Sequence, residues 1–169
     1  MTVFDRYSHF LELGDGFLER KYYSKWRSDF LRSLKRNILE IGIGTGKNLQ
    51  YYRKNCSLTA IDVSKGMLEK AKKNAEKLGK KAKFFQMPAE ELQFKDNSFD
   101  HVVSFLVLCS VSDQLKSLRE MKRVCRKNGS IILVEHVDAK GIFGKILLRM
   151  LKPFLISFAG CSPTRKTAC

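Results

Sequence analysis

A chain of 169 residues with 44% hydrophobic content has the length of one domain and enough apolar side chains to bury a core. Its five cysteines, odd in number and without a C-x-x-C pair, give neither a disulfide framework nor a zinc site, and no uncharged apolar run is long enough to span a bilayer. The formal net charge of +15 favours an anionic partner such as RNA or a lipid surface, although the plainer reading, adopted here, is a lysine-rich solvated exterior.

Residues 1–36 are expected to be helical, with Phe17, Tyr22, Tyr23, Trp26, Phe30 and Leu34 recurring near helical spacing among Arg and Lys. Such a segment would pack across a sheet or over a ligand. Next come Ile38, Leu39 and Ile41, a short apolar run broken by Gly42, Gly44 and Gly46, after which Lys47 to Lys54 can continue as a helix. The pattern predicts strand, glycine turn, helix, a turn in which the backbone takes φ > 0 and a ligand can approach the amides closely. A phosphate-binding loop would need Gly at Ile41 and Ser or Thr at Asn48, and a dinucleotide fingerprint would place its third Gly at Lys47. Neither pattern is met.

Ser57 to Ile61 reads as a second strand ending at Asp62, where a carboxylate beside the glycine turn can accept both hydroxyls of a ribose. The alternative role for Asp62 is a helix N-cap, but Ser64 can cap the following helix equally well. That helix is expected to turn Met67, Ala71, Ala75 and Leu78 inward and to stop at Gly79. Ala82 to Gln86 makes a third strand and Asn97-Ser98 a turn, and His101 to Val107 is a fourth strand, almost wholly apolar as in a strand buried on both faces. Ser112 or Asp113 caps a further helix with Leu115, Leu118, Met121 and Cys125 inward, closed by Asn128-Gly129. Ser130 to Val134 is a fifth strand, followed by Glu135-His136. Strands alternating with helices predict an α/β fold with a parallel sheet, and ligands of such sheets sit at the carboxyl ends of the strands.

The run Glu40-Ile41-Gly42-Ile43-Gly44-Thr45-Gly46 resembles motif I of the class I S-adenosylmethionine-dependent methyltransferases. Residues 36–136 as a whole resemble the type 11 group of these enzymes, which includes quinone-biosynthesis and phospholipid methyltransferases. Leu106-Val107-Leu108-Cys109-Ser110-Val111, Glu135-His136-Val137 and the Gly160-Cys161 to Thr164-Arg165 segment are similar to the methyltransferase-like 7 family, whose members are membrane-associated and methylate alkyl thiols. The resemblance implies a Rossmann-like sandwich that binds S-adenosyl-L-methionine through Glu40, Gly42, Gly44, Gly46, Asp62, Val63, Met87, Ala89 and Leu106. It also implies Glu135 and His136 as candidate catalytic residues, able to favour an acceptor thiolate. Phe4-Asp5-Arg6-Tyr7 is similar to the entry found before motif I in small-molecule methyltransferases, so Tyr7 is a candidate lining residue. Met87-Pro88 stands where an adenine-binding acid is expected, which suggests apolar contact there. Leu108-Cys109-Ser110 stands where many type 11 proteins have Leu-His-His, and no counterpart of the hydrophobic N-terminal anchor of the thiol-methylating family is expected in these residues.

The expected acceptor is a small molecule, an alkyl thiol or a lipid or quinone-type compound. An RNA methyltransferase is the alternative raised by the charge, although the Asn-Pro-Pro-Tyr or Asp-Pro-Pro-Tyr motif after the fourth strand is absent; a non-catalytic cofactor-binding protein is the third. Ile142 to Phe158 carries Lys145, Arg149 and Lys152 on one helical stripe, fitting either a lid or a peripheral membrane contact. No alternating run follows Val137, so strands six and seven of the class I fold are expected to be missing, leaving strand five as a bare edge. The expected division is a cap over 1–36, a core over 37–137 and a lid or interface segment over 138–169, in a cytoplasmic protein with an option of peripheral membrane attachment.

Overall fold

A computed structural model describes residues 23–135, and all structural statements below refer to them. Strands β1 (Asn37–Ile41), β2 (Ser57–Asp62) and β4 (Phe99–Phe105) are buried nearly throughout, as their continuous apolar runs require of central parallel strands. β3 (Ala82–Gln86) and β5 (Cys125–Val134) are much more exposed and form the two edges. The sheet order is β3-β2-β1-β4-β5 and every pairing is parallel. The order in which strands are added reverses between β1 and β4, which opens a crevice at the carboxyl ends of these two strands.

The helices divide between the two faces. α1 (Ser24–Leu31) and α2 (Lys65–Lys77) pack with Ile38, Leu58, Ala60 and Val103 on one face, whereas α3 (Gln114–Val124) packs with Leu39, Ile61 and Val102 on the other. Each of the Ile, Leu and Val side chains among them contributes about 1.5–3 kcal/mol by leaving water. α2 starts where Ser64 accepts the Met67 amide at 3.1 Å and ends at Gly79, whose φ of +60° makes the left-handed cap. α3 is capped instead by Asp113, which accepts the Lys116 amide at 2.9 Å.

Several expectations are corrected. Trp26 and Phe30 face outward at 43% and 46% exposure, while α1 buries Arg27 and Leu31. Leu78 and Leu115 are exposed as well, since the inward stripes run through Met67, Ala71 and Ala75 on α2 and through Ser117, Met121 and Val124 on α3. The helix expected over Lys47 to Lys54 is a single 3-10 turn, Leu49–Tyr51. Leu49 in the turn and Tyr52 just after it, where the backbone becomes extended, are both buried in the core beneath.

β4 begins at Phe99 and ends at Phe105, two residues before the expected Val107, because Leu106 takes φ +59° and leaves the ladder. β5 begins at Cys125, so Asn128-Gly129 lies within its irregular first half and does not close α3. A Cβ on Gly129 would come within 2.6 Å of the Asp100 carbonyl oxygen, an approach only glycine permits. The sheet has five strands among the described residues. The expectations for Tyr7, His136, 142–158, the 160–165 segment and strands six and seven lie outside them.

Candidate functional site

The carboxyl ends of β1, β2 and β4, the loop after β3 and the start of α3 surround a crevice of about 790 Å³. Its floor is the glycine turn. Gly42 and Gly44 adopt φ of +64° and +55°, in the left-handed region that disfavours side chains. A Cβ on Gly42 would strike Val107 at 2.5 Å, whereas a Cβ on Gly44 would meet nothing within 4 Å and would project into open space. Gly42 therefore lets two walls of the crevice meet, and Gly44 keeps the turn free of a side chain on the side where a ligand would lie. Gly46, named with them in the sequence, does not line the crevice. A Cβ there would run into Leu49 at 2.6 Å and Ala71 at 3.3 Å, so its place is in packing the turn on α2.

Asp62 holds the turn from β2. One carboxylate oxygen accepts the Gly44 amide and the other the Ser64 amide, both at 2.9 Å. The side chain thereby brings negative charge to the point where β1 and β2 both end. The Ile43 amide bonds the Ile61 carbonyl at 2.9 Å, and Asn74 of α2 donates to the Thr45 carbonyl at 2.8 Å, so the turn is fixed on both sides. Val63, exposed at 40%, and the buried Met87 and Ala89 continue the lining past β2 and β3. The Met87 amide donates to the Asp62 carbonyl at 3.2 Å, which draws the β3 loop against the acid.

Beneath the turn lies a buried polar group. Glu40 is 1% exposed; its Oε1 accepts a 2.6 Å hydrogen bond from Asn48, whose own carbonyl oxygen accepts from Arg27 of α1 at 2.8 Å. Glu40, Asn48 and Arg27 all line the crevice. Burial raises the Glu40 carboxyl to about 8; Asn48, Tyr52 and Arg27 oppose the rise, and the charge of Asp62 adds to it. Sequence reasoning missed Arg27 and Asn48. The available signal was the buried phase of α1, in which Arg27 and Leu31 share a face.

The opposite wall is Leu106 and Val107. Leu106 keeps its left-handed conformation because its amide bonds the Val134 carbonyl at 2.7 Å, while the Val107 and Leu108 amides both donate to Glu135 Oε1 at 3.0 Å. Ser104 donates to the same oxygen at 3.3 Å. Glu135 is thus a brace for the wall and is not among the residues that line the crevice. Burial raises its carboxyl above the ordinary range, against the pull of those amides. Glu90 of the β3 loop reaches across to accept the Ser112 amide at 2.8 Å, and Glu91 pairs with Lys116 at 2.8 Å, so the mouth is tied from β3 to α3.

An elongated ligand made of an amino acid, a ribose and an adenine fits these features. The open face of the turn at Gly44, the carboxylate at Asp62, the apolar stretch of Met87 and Ala89 and the buried carboxyl of Glu40 follow one another around the crevice. The methyltransferase-domain family matches residues 39–133 of the chain. A phosphatidylethanolamine N-methyltransferase of Cereibacter sphaeroides is 39% identical over 101 residues, 59% of this chain and 50% of that protein. The human thiol S-methyltransferase TMT1A is 36% identical over 155 residues, 88% of this chain and 63% of that protein. The chain thus spans between half and two thirds of the length of these curated relatives. A solved SAM-dependent methyltransferase of Thermotoga maritima has the same fold, with a TM-score of 0.71 at 23% identity, covering 98% of this chain and 74% of that one. The chain belongs to the methyltransferase-domain family, whose sequence and fold imply S-adenosylmethionine as the cofactor.

Proposed function

We propose that the chain carries the cofactor half of an S-adenosylmethionine-dependent methyltransferase acting on a small, largely apolar acceptor. The observation that carries this reading is the Asp62 carboxylate, held between the Gly44 and Ser64 amides at the mouth of the glycine turn. A carboxylate so fixed is suited to accept ribose hydroxyls without further ordering. Bound S-adenosylmethionine supplies a methyl group already activated on a sulfonium. The chain's task is then to orient and to exclude water: the glycine turn admits the ligand, Asp62 fixes its sugar, and Met87 and Ala89 cover its base. Leu106 and Val107, braced by Glu135, form the wall against which an acceptor would be aligned.

The acceptor class is read from that wall and from the relatives. Phe105, Leu106, Val107 and Val111 line the crevice with few polar groups between them, favouring an alkyl thiol or a lipid or quinone-type compound over RNA. His136 remains the proposed base for a thiol acceptor, with 1–36 as cap, 37–137 as core and 138–169 as lid or interface segment. The location we propose is cytoplasmic, with peripheral membrane contact through 142–158; no helix among the described residues is long and apolar enough to cross a membrane.

The test is methyl transfer from labelled cofactor to an alkyl thiol, a quinol, phosphatidylethanolamine vesicles and RNA in parallel. Label in one of the first three acceptors is expected. Label confined to RNA, or no cofactor binding by calorimetry, overturns the reading.

A further inference from the structure

Between β3 and β4, residues 87–98 contain neither helix nor strand. The front of this segment, Met87 to Glu91, lines the crevice, and Leu92 behind it is buried at 4% exposure in the same apolar cluster as Met87 and Ala89. A stretch without regular structure has to find partners for its buried backbone groups elsewhere. It finds them on α3. The Leu92 amide donates to Glu120 at 2.8 Å, the Asn97 amide to the Arg123 carbonyl at 3.0 Å and the Ser98 amide to the Val124 carbonyl at 2.9 Å. In the other direction the Arg123 guanidinium donates to the Leu92 and Phe94 carbonyls, both at 2.7 Å, and to Asp96 at 2.8 Å. Its remaining donors go to the two carboxylate oxygens of Glu120, at 2.7 and 2.8 Å. A guanidinium has five N–H donors, and here each has an acceptor.

Leu92 is where this clamp meets the crevice wall. Both of its backbone groups are held, one by Glu120 and the other by Arg123, whereas Met87 at the far end of the wall is tied to β2 through the Asp62 carbonyl. Ala89 hangs between these two anchors. The bond internal to that span is a long one, from the Glu91 amide to the Pro88 carbonyl at 3.4 Å, and the pair of Glu91 with Lys116 is solvent-exposed and weak. Resting on the cofactor reading above, we propose that Arg123 is a positioning residue for the base-side wall: acting through Leu92, with Glu120 as its partner, it presets Met87 and Ala89 against the ligand's adenine. Arg123 itself is not among the residues that line the crevice. Lysine is no substitute, because an ammonium lacks the rigid fork that reaches two carbonyls and two carboxylates at once. With the clamp undone the ligand has to order the wall as it binds, and that cost is read as lost affinity.

The experiment is calorimetry of the full chain with S-adenosylhomocysteine, at a temperature where circular dichroism shows every variant folded. Arg123→Lys keeps the charge and loses the fork, and its affinity is expected to fall about tenfold. Met87→Ala trims the wall, and its own loss is expected to shrink when Arg123→Lys is already present, because the two act on one contact. The loss from Asp62→Ala, on the ribose side, is expected to be the same in both backgrounds. An affinity of Arg123→Lys within about twofold of wild type, with only the melting point lowered, makes Arg123 a scaffold residue; it overturns the proposal and leaves the cofactor reading standing. Full additivity with Met87→Ala, or an equal shrinkage of the Asp62→Ala loss, overturns it as well. No binding by the wild type overturns both readings. Hydrogen exchange of the wild type decides the matter if Arg123→Lys fails to fold. Saturating S-adenosylhomocysteine is expected to slow the Leu92 and Asn97 amides severalfold although neither residue lines the crevice, and unchanged exchange overturns the proposal.

Discussion

Glu40 and Asp100 are buried carboxyl groups on adjacent strands, and the two ends of the sheet treat them in opposite ways. At the amino end, burial works to raise Asp100, but the Asn37 amide at 3.1 Å and the Arg126 guanidinium at 2.7 Å outweigh it and hold the group below the usual carboxylate range. At the carboxyl end, burial wins and Glu40 is raised to about 8. Asp100 has all it needs from the protein. Glu40 is met by the neutral side chains of Asn48 and Tyr52, with Arg27 one step further off, and lines the crevice. The difference teaches what decides the state of a buried acid: an amide and a guanidinium outweigh burial at Asp100, whereas the mainly neutral partners of Glu40 do not.

The comparison can be broken most severely at the crevice end. Gly42→Val forces a β-branched residue into φ +64° and onto Val107, and cofactor binding measured by calorimetry is expected to disappear. Binding within threefold of wild type would mean that the turn does not form the ligand's floor. Asp62→Ala comes next, with affinity expected to fall about 10- to 100-fold, since charge-assisted hydrogen bonds are worth roughly 1.5–3 kcal/mol. Unchanged affinity would remove the ribose role.

Stability against pH sharpens the contrast further, because the two acids act with opposite signs. Glu40 binds its proton more tightly folded than unfolded, so its effect is destabilising as pH rises from about 4.5 towards 8, and Glu40→Gln is expected to flatten that part of the melting profile. Asp100 contributes stability above the unfolded value near 3.8 that is lost as pH falls through its lower folded value. Asp100→Asn is expected to cost about 1 kcal/mol at neutral pH, modest because Arg126 is partly solvated, with the difference from wild type vanishing in acid. Its cofactor affinity should match wild type, and a large loss would deny that the two ends are separate. The smallest effect is expected for Glu135→Gln, which keeps a carbonyl oxygen for the Val107 and Leu108 amides. Turnover within about threefold of wild type supports a brace by the ordinary strength of a retained hydrogen bond, and collapse of turnover would restore Glu135 as a catalytic residue.

The parts legible in the sequence were those governed by local pattern. Apolar runs gave β1, β2 and β4, the glycines and Asp62 gave the turn and its acid, and Ser64 gave the start of α2, because each depends on a few neighbouring residues. What escaped depends on distant partners. Asn48 and Leu49 sit in a stretch that reads as helix, and only the buried Glu40 and the core beneath it explain the 3-10 turn. Leu106 carries no sign of a left-handed backbone, since its own amide and that of Val107 are answered by Val134 and Glu135, far along the chain. Gly46 looked equivalent to Gly42 and Gly44, and its packing against Ala71 is a tertiary fact. Arg27 counted as one more surface cation until its helix phase was known.

The bend at Leu106 also bears on the order in which the molecule assembles. A left-handed leucine costs about 1–2 kcal/mol, and what offsets this cost comes from Val134 and Glu135, close to thirty positions further along the chain. A nascent polypeptide that has paired β1, β2 and β4 therefore holds its glycine turn and Asp62 but has no reason to keep Leu106 bent. The Leu106–Val107 wall thus depends on β5 being docked, whereas the glycine turn is held from β2 and α2 without it.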